Sequence, residues 1–502
     1  MTRPPPAALI GEGHRLCQAG RPAEALHCYD QALTLIPDAA EPHAFRGGAL
    51  MLLGRPEEAV AAYDTALARR PFYPEAWNHR GNALAALGEP AEALASYDRA
   101  LCLHPDYADV HTNRAVVLRR LGRSEEALAA AECALALDPA DTRALTCRGN
   151  ALQELGRTEA AVASFDRALA IAPGCAEARC NRAMSLLLAG DFSQGWRDYE
   201  ARWDTPAFAP MKPPFRQRLW QGAEPLAGRT ILLRAEQGIG DTLQFCRYVP
   251  RVAALGAEVV LGVPPVLTSL LAGLPWPVRL VDSRHNLPPF DLHCPLLTLP
   301  LAFGTTLATI PAKVPYLAPP AEHLRLWEER VGRSSSGPHI GLAWSGNRSH
   351  PRDRDRSMPL ELLAPLAALG LKLFCLQRDL RPEDIPAYAM AGAIAYYGPA
   401  LRDFADTAAL IAQLDLVITV DTAVAHLAGA MGKPVWVLLP HPPDWRWMLN
   451  RDDSPWYPTM RLFRQPAPGD WGSVIRRLCG EIEVLCASNR PEAWDHARVI
   501  RF

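Results

Sequence analysis

Six glycines, Gly20, Gly54, Gly88, Gly122, Gly156 and Gly190, stand 34 residues apart without a slip. Pro37, Pro71, Pro105, Pro139 and Pro173 keep the same period, as do Ala25, Ala59, Ala93, Ala127 and Ala161. An aromatic stays in phase at Tyr29, Tyr63, Tyr97 and Phe165, while the fourth unit has Ala131 there. A strict period of this length constrains a chain severely, because each unit can bury its apolar face only against the next. Glycine ends the first helix of a pair, alanine permits close packing, and proline stops the second helix.

The pattern resembles the tetratricopeptide repeat. It predicts five full repeats at 6–39, 40–73, 74–107, 108–141 and 142–175. A divergent sixth carries the array to residue 203, with Trp196 and Trp203 expected to seal its end. Stacked helix pairs curve into a groove, which implies a protein partner for this region. Arg46, Arg80, Arg114, Arg148 and Arg182 recur in phase, and each follows an acid (Asp30, Asp64, Asp98, Glu132, Asp166) by 16 residues. An internal acid–arginine ladder between neighbouring repeats accounts for both series. Asn113 and Asn181 share one repeat position, and Asn82 and Asn150 share another. Amides there can clamp a peptide backbone with paired donor and acceptor, or form ordinary solvated helix surface.

A chain of 502 residues needs two to four structural units. With 49% hydrophobic residues and a net charge of −2, it gives no reason to expect nucleic acid or an anionic membrane as partner. No run approaches the ~18 apolar residues of a membrane span, and the first residues lack a secretion-signal pattern. The 12 cysteines include no C-x-x-C pair and read as reduced thiols. These features predict a cytoplasmic protein.

After a Pro-rich linker, 204–228, the period changes. Strand, helix, strand, helix and strand follow one another from "RTILLRAE" to "VRLVD", the pattern of a parallel βαβαβ unit. A second such series starts at "HIGLAWSG". The expected domains are 229–335 and 336–488, two Rossmann-like units facing a cleft, followed by a tail at 489–502. The last helix, around "WGSVIRRLCGEIEVLC", is a candidate to bridge back to the first of them.

Polar residues interrupt apolar sequence at two strand-to-helix turns. In "EQGIGDTLQ", Gly238 and Gly240 allow a tight turn and Asp241 starts the helix, as a cap or as a catalyst. In "VITVDTAVAHLAGAMGKPVWVLL", Asp421 and Thr422 end a strand and His426 lies one helical turn on. A helix start there offers free N–H groups to phosphate, whereas His426 alone reads as a hydrogen-bonded core histidine.

Together these stretches resemble the heptosyltransferase-like glycosyltransferases of family 9, over roughly 229–480. Repeats joined to such a domain are also similar to bacterial protein glycosyltransferases, including flagellin-modifying ones. The resemblance implies a GT-B fold after an α-solenoid, an inverting mechanism, and a nucleotide-sugar co-substrate with no metal or other cofactor. It makes Asp241, after Gly240, the general base, and puts Asp421, Thr422 and His426 at the donor. Ala423 replaces the family's glycine, and a Lys-x-Trp of the second domain is absent. Arg354, Arg356 and Ser357 are candidates for the phosphate clamp in its stead, or part of a solvated basic loop. Trp445, Trp447, Trp456 and Tyr457 read as a cleft lining or as buried packing. The acceptor implied by the repeats is a protein. The rival readings are a glycan or lipid acceptor, and a scaffold without activity.

Overall fold

The computed structural model describes residues 4–283, 287–332, 337–392 and 394–487, so the expected tail at 489–502 lies outside the described residues. The chain divides into two compact units, Met1–Ser185 and Leu186–Phe502.

The first unit is a solenoid of antiparallel helix pairs, beginning with Pro6–Gln18 and Pro22–Leu35 and repeating through Thr142–Glu154 and Thr158–Ile171. Every period glycine lies past a first helix with φ between 69° and 92°, a conformation that side chains resist. In four of the pairs the aromatic of the second helix packs on a glycine of the first. A Cβ added at Gly13, Gly47, Gly81 or Gly149 would come within 2.4–2.7 Å of the Tyr29, Tyr63, Tyr97 or Phe165 ring. The fourth repeat, which lost its aromatic at Ala131, has Ala115 where the others have glycine, and both alanines are fully buried. The side chain given up on one helix is thus partly replaced on the other.

The acid–arginine ladder forms at every predicted rung: Arg46–Asp30 (2.8 Å), Arg80–Asp64 (2.6 Å), Arg114–Asp98 (2.8 Å), Arg148–Glu132 (3.2 Å) and Arg182–Asp166 (2.6 Å). Each acid is about half exposed, so each rung contributes only ~0–1 kcal/mol. The ladder's main effect is to fix which helix faces meet.

The second unit holds two wholly parallel sheets. The first comprises β1 (Arg218–Leu219), β2 (Thr230–Arg234), β3 (Glu258–Val263), β4 (Val278–Asp282) and β5 (Leu292–Pro295), in the order β1-β5-β2-β3-β4. The other comprises β6 (His339–Ala343), β7 (Lys372–Cys375), β8 (Ile394–Tyr396), β9 (Leu416–Val420), β10 (Val435–Leu439) and β11 (Met460–Arg464). Its order, β11-β10-β9-β6-β7-β8, is that of a doubly wound dinucleotide-type sheet. The strand order reverses between β6 and β9, and between β2 and β5 in the first sheet; crevices at such points receive ligands.

A proline divides the first helix expected after β2. "DTLQFCRYVPRVAALG" breaks into Ile239–Phe245, a short 3-10 turn and Val249–Ala253, with Pro250 at the restart. Among the described residues the terminal helix, Trp471–Ala487, packs with the second sheet and not, as expected, with the first. Its Trp471, Val474, Ile475, Leu478 and Ile482 share a core with Ile340, Leu342 and Leu363 of the second. Trp196, on the Phe192–Tyr199 helix, belongs to the second unit. It donates to the Thr305 carbonyl at 3.1 Å and meets Trp445 edge-on at 5.2 Å, so its expected role as a seal of the array gives way to one in the α/β core.

Candidate active site

β2 and β9 both deliver the chain from a buried strand into a helix N-terminus, and these two helices meet. Gly240, in the Ile239–Phe245 helix, lies against His426 of the Ala423–Ala430 helix. A Cβ at Gly240 would come 2.8 Å from His426 Cδ2 and 3.6 Å from the Ala423 Cα. Glycine is required here by close approach, since any side chain would force the helices apart. The turn before it is strained, with Gln237 at φ 59°. Its side-chain amide donates to the Tyr199 hydroxyl at 2.9 Å, which helps hold a backbone conformation rare outside glycine.

Asp241 is the third residue of its helix. One oxygen, Oδ2, reaches back to accept the Gly238 N–H at 2.8 Å, which is a capping contact. The other, Oδ1, accepts from the Arg446 guanidinium. Arg446 comes from the loop after β10 and was not singled out in the sequence. Its Nη1 donates to Asp444 Oδ1 and its Nε to Gln244 Oε1, both at 2.8 Å, and its guanidinium lies 4.3 Å over the Trp445 ring. Asp444 also accepts the Arg446 N–H, at 3.0 Å. Burial would lower the arginine's affinity for its proton, but Asp444 and Asp241 more than reverse that, so it keeps its charge.

His426 is 4% exposed. Its Nδ1 meets the Tyr457 hydroxyl at 3.0 Å, and its ring stacks on Trp447 at 5.4 Å. Burial, reinforced by the nearby Arg446 charge, pushes its pKa down to about 3, so the imidazole is neutral at physiological pH. Asp421 moves the other way, to about 6, driven first by burial and then by repulsion from Asp444; Trp447, Arg356 and Arg446 oppose the rise. The buried Trp447 indole N–H thus acts on the Asp421 carboxyl, although it closes no hydrogen bond of good geometry among the described residues. Thr422 is the N-cap of the Ala423–Ala430 helix, but its hydroxyl meets Thr419 Oγ1 at 3.1 Å and caps nothing.

The loop after β6 completes the second sheet's crevice. Arg356 Nη1 donates to the Asp421 carbonyl at 3.0 Å, while its buried Nε makes no hydrogen bond among the described residues and lies 3.9 Å from Asp353 Oδ1. That places Arg356 beside the turn after β9. Ser357 is committed elsewhere: its hydroxyl donates to Asp353 at 2.8 Å and accepts from the Gly346 N–H at 3.0 Å and from Arg381 at 3.1 Å. It orders the loop, and Arg354 is exposed. The aromatics Trp445, Trp447, Trp456 and Tyr457 are all buried, so they pack the site's walls and offer no open sugar platform.

The four array asparagines are engaged with other side chains. Asn113 donates to Asn78 at 3.1 Å and accepts from Arg143 at 2.8 Å. Asn181 donates to Asn150 at 2.8 Å, and Asn82 accepts from the Tyr97 hydroxyl at 2.8 Å. They form rungs between neighbouring residues and repeats, which uses much of the capacity a peptide clamp would need. One group with metal-ligand spacing occurs among the described residues, His323 with Asp403 and Asp406. Asp403 caps a helix there, and Asp406 accepts from Trp327 and Arg402.

A tetratricopeptide-repeat model matches residues 10–74, 49–108, 79–142 and 148–206. The array is built of tetratricopeptide repeats. The model described as "Glycosyltransferase family 9 (heptosyltransferase)" matches residues 401–440, which include Asp421, Thr422 and His426. Protein FlbA of Caulobacter vibrioides is 26% identical over 335 residues, covering 61% of this chain and 55% of FlbA. The match thus spans about half the length of that relative. Similar solved structures include the tetratricopeptide protein TTC0263 of Thermus thermophilus, at 26% identity, a TM-score of 0.32, 36% of this chain and 99% of that one. MamA is another, at 25% identity, a TM-score of 0.30, 32% of this chain and 93% of that one. No helix among the described residues is long and apolar enough to cross a membrane.

Proposed function

We propose that this protein is a GT-B glycosyltransferase that moves a sugar from a nucleotide-sugar to a protein recruited by the repeats. The observation that carries the reading is the packing of Gly240, the residue before Asp241, directly against His426, where two strand-to-helix turns converge. In the proposed reaction Asp241 removes the proton from an acceptor hydroxyl. The hydroxyl oxygen bonds to the anomeric carbon with inversion, and the bond from that carbon to the phosphate oxygen breaks. Its electron pair leaves with the nucleoside diphosphate. The start of the Ala423–Ala430 helix, Thr422 and Arg356 would stabilise the leaving charge, a role that asks for no metal. Neutral His426, fixed by Tyr457, would shape the donor pocket and not exchange protons.

One observation favours the scaffold reading: both Asp241 oxygens are already engaged, by Gly238 and Arg446. Screening nucleotide-sugars for thermal stabilisation and then for nucleoside diphosphate release separates the two. The transferase binds one donor and turns it over, whereas a scaffold binds without turnover.

A further inference from the structure

The transferase reading leaves Arg446 without a task. It is the most heavily used charge at the site, with all three guanidinium nitrogens donating, to Asp241, Asp444 and Gln244. Asp241 is correspondingly closed. Oδ2 is folded back on its own helix and Oδ1 is covered by a guanidinium, so neither faces an incoming hydroxyl. Arg446 also adjoins the second strand-to-helix turn, since the ring of its chain neighbour Trp447 stacks on His426 at 5.4 Å. It therefore touches the candidate base and lies next to the turn where the proposed function puts the diphosphate.

We infer that Arg446 is a latch on Asp241, released by the diphosphate of the sugar donor. A diphosphate offers the guanidinium a bidentate partner of higher charge than one carboxylate. Drawn toward it, Arg446 uncovers Oδ1, and Asp241 becomes available to the acceptor only when a sugar is in place. The donor then binds first, and the uncovered base is not presented to water in the empty site. Arg446 is a positioning residue for Asp241 and a ligand for the leaving group. The inference rests on the glycosyltransferase reading.

Competition gives the test, because Asp241 and the diphosphate share one partner. The dissociation constants of ADP, GDP and UDP for the full-length protein are measured by calorimetry, and the tightest is carried forward. D241N should bind it more tightly than the native protein by roughly three-fold or more, since the competing carboxylate is gone. R446Q should bind it about ten-fold more weakly. D241N added to R446Q should change nothing. Where R446Q does not fold, R446K takes its place, and the tightening must shrink because the fork is lost. Unchanged or weaker binding by D241N overturns the latch. So does equal tightening with and without Arg446, which is bare charge repulsion. Failure of all three nucleotides to bind overturns the transferase reading along with it. If the cycle holds but D241N turns over undiminished, Asp241 loses its role as base while its competition for Arg446 stands.

Discussion

In the repeat array, arginines from Arg46 to Arg182 each meet one acid across a helix junction, and the acids keep about half of their surface in water. In the second unit, Arg446 is 10% exposed and meets Asp241 and Asp444 at once. The chemistry of the pairs is the same and their consequences are opposite. A half-exposed pair leaves little behind when one partner goes, because water solvates the survivor. A buried cluster cannot be opened so cheaply, and that resistance is what lets it hold a reactive carboxylate in one state until something displaces its partner.

The contrast is broken most severely by R446M, which strands Asp241 and Asp444 with Gln244 unpaired. A loss of ~3–5 kcal/mol in denaturant unfolding of the second unit is expected. A loss below 1 kcal/mol would mean that water already reaches the cluster. Next comes packing in the array. G81A drives a methyl group into the Tyr97 ring and should cost ~1–3 kcal/mol. G81A with Y97A, which copies the alanine pair of the fourth repeat, should cost clearly less than the two single changes summed. Additive costs would show that the Ala115–Ala131 pairing is incidental.

The third test uses pH. Asp421 titrates at about 6 in the folded protein against an ordinary 3.8, so the folded state holds its proton more firmly. Its contribution to stability is therefore present below about pH 4 and is lost as pH rises through 6. D421N removes that loss, and its melting temperature relative to the native protein should climb between pH 4.5 and 7.5. His426 acts in the opposite sense, its neutral form being favoured as pH rises from about 3 to 6.5, and it is common to both proteins. A constant gap between the two melting curves would show that Asp421 stays well solvated. The smallest effect is expected for R114M, a single ladder rung, at below ~1 kcal/mol by the same unfolding measurement.

The same two regions explain what could be read from the sequence. The array was legible because one unit's constraints are written over and over: the glycine at positive φ, the acid and its arginine 16 residues on in all five repeats, and the aromatic in four of them. The strands of the second unit were legible where apolar runs stand between turns, as at Leu416–Val420 and Val435–Leu439. β5 escaped notice because it is four residues ending in proline, and β11 because it follows a stretch dense in tryptophan and proline. Asp241, Asp421 and His426 stood out because each is polar at the edge of a buried run. Arg446 had no such signal. It lies 205 residues from Asp241, in a loop where arginine is ordinary, and only the fold brings the two together.

Whether Asp241 is the base of a sugar transfer is decided by single-donor turnover of D241N beside the native protein. With the nucleotide-sugar that stabilises the protein best, native turnover is expected, with D241N slower by ~10²–10⁴-fold while donor binding is kept. Undiminished turnover by D241N, or none by the native protein with any donor, would contradict the account.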